Sequence, residues 1–144
     1  MIEQDTIKLL RECDAGVKMG VKAIDDVMGY ARSEELKGCL RACKEAHTGL
    51  DREIQAQLER FQDEGKTPGA IAEGMSWMKT NMKLAMNRSD RTIADLMTDG
   101  CHMGVKSLNR YLNQYEAADE HTKDIAKRLI KLEEELAHQM CAYL

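Results

Sequence analysis

The chain has 144 residues, a net charge of −4 and an isoelectric point of about 5.6, and its length corresponds to a single domain. Charged residues make up 32% of the chain and there is one proline, a composition that favours helix throughout. The lack of a basic stripe argues against nucleic acid as a partner, and no apolar run approaches the ~20 residues that span a bilayer.

Apolar residues at helical spacing predict a first helical hairpin over about 4–63. Ser33 is a suitable N-cap for the second helix, which runs to about residue 63. Because the turn before Ser33 is very short, we expect the two helices to pack antiparallel. The first helix, about 4–32, carries an apolar stripe of Ile7, Leu10, Val17, Val21, Ile24 and Met28.

Two polar residues on or beside these stripes are candidate ligands. Asp14 falls in a gap of the first stripe, where a carboxylate needs a partner or a cation; alternatively, Cys13 fills the stripe and Asp14 tips to its edge. His47 stands on the second stripe and shares a face with Cys39 and Cys43. That face either holds zinc or copper, or consists of two small core cysteines and a hydrogen-bonded core histidine.

A third helix is predicted over about 67–87, with Thr67 as its N-cap and Pro68 at its first position. Its apolar face is rich in methionine, which is typical of adaptable core packing. About twenty helical residues span ~30 Å, the length of a bundle. We therefore predict a helical crossover that joins the two ends of the bundle. Its stripe consists of Ile71, Met75, Met78, Met82 and Met86.

A second hairpin is predicted over about 89–144. Ser89 or Asp90 caps a helix of about 91–116, in which Cys101 lies on the apolar stripe. Asp99 and His102 flank that stripe rather than lie on it.

The last helix, from about residue 119, has two apolar edges. Glu135 and His138 on it form a Glu-x-x-His pair that leans towards the polar side. A helix that is apolar on two edges often has two neighbours, so we expect a homodimer contact or the crossover helix on the second edge. That edge consists of Ile130, Ala137, Cys141 and Leu144.

Seven residues of the first hairpin are repeated 84 positions later in the second. Gly16–Lys22 and Gly100–Lys106 are identical at five of the seven positions. A mid-helix glycine costs about 1 kcal/mol relative to alanine and is usually tolerated where another helix approaches closely. The repeat predicts an internal duplication, with the first helices of the two hairpins meeting near their middles.

These features resemble the ferritin-like superfamily, and in particular a bacterial ferritin-like domain family of unknown function. The resemblance is carried by the mid-helix Gly16 and Gly100, the Trp77 segment, Ala23-Ile24 and Ser107-Leu108 after the repeats, and Ala137-His138. It implies an all-α, ferritin-like four-helix bundle of two duplicated antiparallel helical hairpins joined by a helical crossover.

Ferritin-like di-iron proteins hold two metals between carboxylates and histidines inside the bundle. Carried over to this chain, the resemblance implies iron, manganese or zinc ligands. Lys44 departs from the pattern, because it stands three residues before His47 where a ligand is expected and metal ions repel lysine. We therefore also expect Lys44 to neutralise Asp14 in a charge-paired polar layer. The candidate metal ligands are Asp14, His47, His102, Glu135 and His138.

Three functions follow as hypotheses. The first is a non-catalytic bundle with a degenerate di-metal site that binds an unknown protein partner, or itself through the last helix. The second is a metal-binding protein that uses the mid-bundle ligands. The third is a soft-metal carrier, for which five cysteines are few.

No nucleophile and base, phosphate loop or nucleotide fingerprint stands out, so we predict no catalytic residue and no organic cofactor. The first residues lack the basic start and apolar core of a signal peptide, and the number of cysteines is odd. We therefore expect reduced thiols in a cytoplasmic protein.

Overall fold

The computed structural model describes residues 2–66 and 89–144, and this part of the chain is helical with no strand. Its four long helices are α1 (Ile2–Met28), α2 (Glu34–Arg60), α3 (Asp90–Gln114) and α4 (Glu120–Met140), and a 3₁₀ turn follows at Cys141–Tyr143. The four helices predicted on either side of the crossover are thereby confirmed. The predicted crossover helix over about 67–87 lies outside the described residues. Within the two described ranges, no helix is both long and apolar enough to cross a bilayer.

Side-chain caps fix where three of these helices begin. The side chains of Ser33, Ser89 and Asp119 each accept a hydrogen bond from the backbone N–H three residues later. Each bond satisfies one of the donors that the first helical turn leaves without a partner. Of the two caps predicted for α3, Ser89 is the N-cap, which frees the Asp90 side chain for a different contact.

Asp90 joins the start of α3 to the turn of the first hairpin. Its two carboxylate oxygens accept hydrogen bonds from the backbone N–H groups of Arg32, at 2.8 Å, and Ser33, at 3.0 Å. The beginnings of α2 and α3 therefore lie side by side at one end of the bundle. At the other end, the Asp119 N–H donates to the Thr6 hydroxyl over 2.8 Å, which places the turn of the second hairpin beside the start of α1.

These contacts set the direction of every helix. α1 and α4 run one way, whereas α2 and α3 run the other, so the two central helices of the chain are parallel. Parallel helices need a long connection, and the described ends on either side of it are far apart. Lys66 bonds Glu12 of α1, whereas Asp90 bonds Arg32. Glu12 lies sixteen residues, or ~24 Å of helix, before the end of α1 at Met28, and Arg32 lies beyond that end.

The core is divided into two clusters of buried apolar side chains. One contains Ile24, Leu40 and Leu136, and the other contains Leu10, Leu50 and Leu129. Along each of the four helices, the residues of one cluster give way to the residues of the other near the middle. The boundary between the clusters is therefore a layer across the centre of the bundle.

The second apolar edge of the last helix is largely covered within the chain. Ile130 and Ala137 are both buried and belong to the two core clusters, whereas Cys141 and Leu144 are exposed. Ile130 and Ala137 therefore need no second copy of the chain to cover them. A homodimer stays a prediction.

We predict that the Asp90→Ala substitution lowers the free energy of unfolding by about 1–2 kcal/mol, because two backbone N–H groups lose a charged acceptor. Urea denaturation measures this loss. Asp95→Ala, at an exposed position on the same helix, is the control and should change stability by less than about 0.5 kcal/mol. Equal losses in the two variants would show that Asp90 does not hold the hairpins together.

Candidate functional site

Each of the four helices places one residue in the central layer between the core clusters. α1 contributes Gly20, α2 His47, α3 Gly104 and α4 Glu133. In sequence, each of them lies between residues of one cluster and residues of the other: His47, for instance, lies between Cys43 and Leu50. The layer therefore combines two polar side chains with two residues that have no side chain.

His47 and Glu133 form a buried ion pair across this layer. Nε2 of His47 lies 2.8 Å from Oε1 of Glu133, and the two side chains are 1% and 12% exposed. Nδ1 of His47 lies 2.8 Å from the backbone carbonyl oxygen of Cys43. Since both ring nitrogens face oxygen acceptors, each carries a proton and donates it, which makes the ring an imidazolium.

The pKa of His47 agrees with this assignment. Burial by itself lowers the pKa of a histidine, since it penalises the charged form. Here the Glu133 carboxylate and the Cys43 side chain, whose Sγ lies 3.4 Å from Nδ1, outweigh burial and raise the pKa of His47 to about 10. The imidazolium therefore persists at neutral pH, where it neutralises the carboxylate beside it.

Two buried thiols, those of Cys101 and Cys13, are protonated at neutral pH. Burial raises the pKa of Cys101, and the neighbouring Glu133 carboxylate raises that pKa further. Burial also raises the pKa of Cys13 to about 12. Because the thiolate is the form that attacks electrophiles and binds metals, these two cysteines are inert side chains of the core at neutral pH. All five cysteines are free.

One of the repeated glycines, Gly20, makes room for the ion pair. A Cβ atom at Gly20 would lie 2.8 Å from Nε2 of His47, a distance that the ring can relieve only by moving. A Cβ atom at Gly104 would lie 3.6 Å from Oε2 of Glu133. We expected a second helix to approach these glycines closely. What approaches them is a side chain: His47 requires a glycine at position 20, whereas the contact at Gly104 would be of ordinary length.

A cavity of about 250 Å³ lies between α1 and α3, with the ion pair on its inner wall. The two copies of the repeat supply opposite sides of it, through three equivalent pairs of residues and through Cys101. The methionines of the two copies, Met19 and Met103, are 36% and 60% exposed. The repeat residues that line the cavity are Gly16, Met19, Gly20, Gly100, Cys101, Met103 and Gly104.

Most of the described polar residues that line the cavity form two groups, and Ser107 also lines it. The first group, in the middle, consists of His47 and Glu133. The second consists of Glu12, Lys66 and Tyr111, and in it the Glu12 carboxylate lies 2.8 Å from Lys66 Nζ. The hydrogen bond to Glu12 raises the pKa of Lys66. Leucine, isoleucine, alanine and methionine side chains from α1, α3 and α4 complete the walls. The cavity is thus mainly apolar, with the Glu133 carboxylate at its centre.

Asp14 is fully buried and bonded, but its partners differ from the predicted one. It accepts hydrogen bonds from Lys18 Nζ at 2.9 Å and from Gln55 Nε2 at 2.8 Å. The predicted pairing with Lys44 is wrong, because Lys44 Nζ lies 2.7 Å from Asp25 instead. Lys18 reaches Asp14 from the next turn of the same helix, which leaves no need for a cation from α2.

The other predicted ligands lie on the surface. His102, Glu135 and His138 are exposed, and the two histidines line a shallow surface depression beside Glu134. The inward carboxylate of α4 is therefore Glu133, not Glu135. Across residues 2–66 and 89–144, no three or more histidine, cysteine, aspartate or glutamate side chains are grouped so that they could hold a metal ion.

Helical spacing alone could have found Glu133. Ile125, Leu129, Leu136 and Met140 are buried on α4, and Glu133 lies four residues after Leu129 and three before Leu136. Three consecutive glutamates hide this position, and the Glu-x-x-His spacing favours the wrong one of them.

No protein-family model matches this chain, and no curated protein sequence matches it. The geometry of the central layer and of the cavity therefore carries the functional argument.

We predict opposite effects for two glycine substitutions in the repeat. Gly20→Ala should lower the free energy of unfolding by about 1–3 kcal/mol, because the added methyl group displaces the His47 ring. Gly100→Ala should raise it by about 1 kcal/mol, because its Cβ would meet no atom of the described residues within 4 Å and alanine favours helix. Urea denaturation of both variants tests this. Equal stabilisation would show that the ion pair does not require the glycine.

We also predict that stability falls as the pH rises from 6.5 to 8.5. An unfolded histidine loses its proton above its ordinary pKa of 6.5, whereas folded His47 keeps it up to about 10. The contribution is therefore complete below pH 6.5, declines above it and is lost as the pH passes 10. The expected loss by pH 8.5 is up to about 3 kcal/mol.

Urea denaturation at several pH values measures this slope. The control is the His47→Leu/Glu133→Leu double variant, which has no ion pair and should show a smaller slope. Staying below pH 8.5 limits ionisation of the unfolded thiols, whose ordinary pKa is near 9. Identical slopes in the two proteins would contradict a charged His47.

Proposed function

We propose that this protein is a non-catalytic, ferritin-like binding bundle in which an ion pair stands where related bundles would hold metal. The observation that carries the proposal is the buried contact of 2.8 Å between His47 and Glu133. It joins the two hairpins at mid-bundle. We further propose that the protein is cytoplasmic, since its five cysteines are free.

The order and direction of the helices support the ferritin-like assignment. Two antiparallel hairpins with parallel central helices are the arrangement of bundles that have one long crossover connection. The repeat in α1 and α3 adds to this support, because it places equivalent residues on the first helix of each hairpin. The assignment rests on this layout together with the sequence resemblance.

The hydrogen bonding of His47 supports a binding role over a metal-dependent one. A histidine binds metal through an unprotonated ring nitrogen, and both nitrogens of His47 face acceptors at 2.8 Å. The pair also neutralises itself, so the layer has no excess negative charge to attract a cation. A metal-binding function would require His47 to lose a proton and turn away from Glu133 or from the Cys43 carbonyl.

Metal content is the direct test of this proposal. The purified protein is analysed by inductively coupled plasma mass spectrometry, before and after anaerobic incubation with ferrous iron and desalting. We expect far less than one metal per chain in both samples. His47→Ala and the exposed-site variant His121→Ala serve as matched controls and should give the same result.

The opposite outcome is equally clear. A di-iron centre would give about two irons per chain. The proposal would be overturned if this iron were lost in His47→Ala but retained in His121→Ala. That result would make His47 a ligand and this bundle a metal protein.

A further inference from the structure

We propose that the cavity between α1 and α3 binds a small, uncharged and mainly apolar molecule that donates one hydrogen bond to Glu133. This inference rests on the binding function proposed above and names the class of ligand. It follows from the size of the cavity, from the glycines that create it and from the chemistry of its inner wall.

The volume selects the size of the ligand. A dry apolar cavity of about 150 Å³ in a protein core holds one benzene ring. The cavity here measures about 250 Å³, which is space for two fused rings or an aliphatic molecule of similar bulk. A long lipid chain or a nucleotide would not fit within it.

Close packing does not explain the glycine at position 100. Glycine weakens a helix relative to alanine, so it needs a local reason. Gly20 has such a reason in His47, but a Cβ at Gly100 would meet no atom of residues 2–66 or 89–144 within 4 Å. A larger residue at position 100 would fit the helix and fill the cavity. We infer that the open volume beside Gly100 is the feature that the glycine serves.

The inner wall selects the chemistry of the ligand. An ionised carboxylate offers about four acceptor positions, and Glu133 uses one for His47. The remaining capacity faces the cavity. Because His47 already balances the charge of Glu133, a charged ligand would lose its hydration without gaining a counter-ion. A neutral hydroxyl or N–H donor fits these conditions.

The mouth of the cavity suits an apolar guest. Met19 and Met103 line it from opposite sides, and both are exposed. Methionine side chains are unbranched and adjust to different shapes, a property that binding surfaces use. A ligand entering between α1 and α3 would pass these two flexible side chains before reaching the ion pair.

Two probes of matched shape test the proposal. 1-Naphthol has two fused rings and one hydroxyl donor, whereas naphthalene lacks the donor. Fluorescence titration of the full chain should show saturable binding of 1-naphthol at one site per chain. Naphthalene should bind about tenfold more weakly, because it leaves the carboxylate without its hydrogen bond.

Two leucine variants locate the site. Gly100→Leu places a side chain into the cavity and should weaken 1-naphthol binding at least tenfold. Gly49→Leu makes the same change at an exposed glycine of α2 whose Cβ also meets nothing within 4 Å, and it should bind like the unmodified protein. Thermal melting of both variants verifies that each is folded.

Several results would overturn the proposal. The absence of saturable binding of either probe would do so, and so would equal binding by both leucine variants. If Gly100→Leu alone lowers the melting temperature, the space is already filled, for example by residues 67–88. If Gly100→Leu alone abolishes a dimer seen by sedimentation, the cavity belongs to a second copy.

The metal analysis tests the proposed function separately, since metal-loaded protein that still binds 1-naphthol would overturn only the metal-free assignment.

Discussion

The buried ion pair between His47 and Glu133 is the interaction on which the centre of this bundle depends. Replacing one member would leave an uncompensated charge in the core, which typically costs about 3–5 kcal/mol. The pair determines what can stand next to it. Gly20 lacks a side chain because His47 occupies the space, and the Cys101 thiol stays protonated beside the Glu133 carboxylate. One contact therefore accounts for residues on all four helices.

The helices and their order could be predicted from sequence, because those signals are local. Apolar spacing and the caps Ser33 and Ser89 report on a few neighbouring residues, and the structure confirms them. The predicted end of α1 near residue 32 was four residues too late. There the chain leaves the helix at Gly29 and Tyr30 and turns through hydrogen bonds to Val27 and Met28.

The partners of the polar residues could not be predicted, because they depend on which helices face each other. His47 was found as a core histidine, but its partner comes from 86 positions away. Asp14 was found as a buried carboxylate, but Lys18 on its own helix satisfies it, and Lys44 points elsewhere. In each case periodicity located the buried group, whereas the three-dimensional packing selected its counter-charge.

The ion pair also breaks the two-fold relation between the hairpins. A shift of 84 positions maps His47 onto Lys131 and Glu133 onto Gly49, both exposed, so no second pair exists at the related place. Two separate identical hairpins around a two-fold axis would have to show every contact twice. A single chain is free of that requirement. On the cavity wall, the His47 cation and the Glu133 anion therefore lie beside each other without a symmetry-related copy. This charge asymmetry gives a bound ligand one preferred orientation, although the surrounding repeat is nearly symmetric.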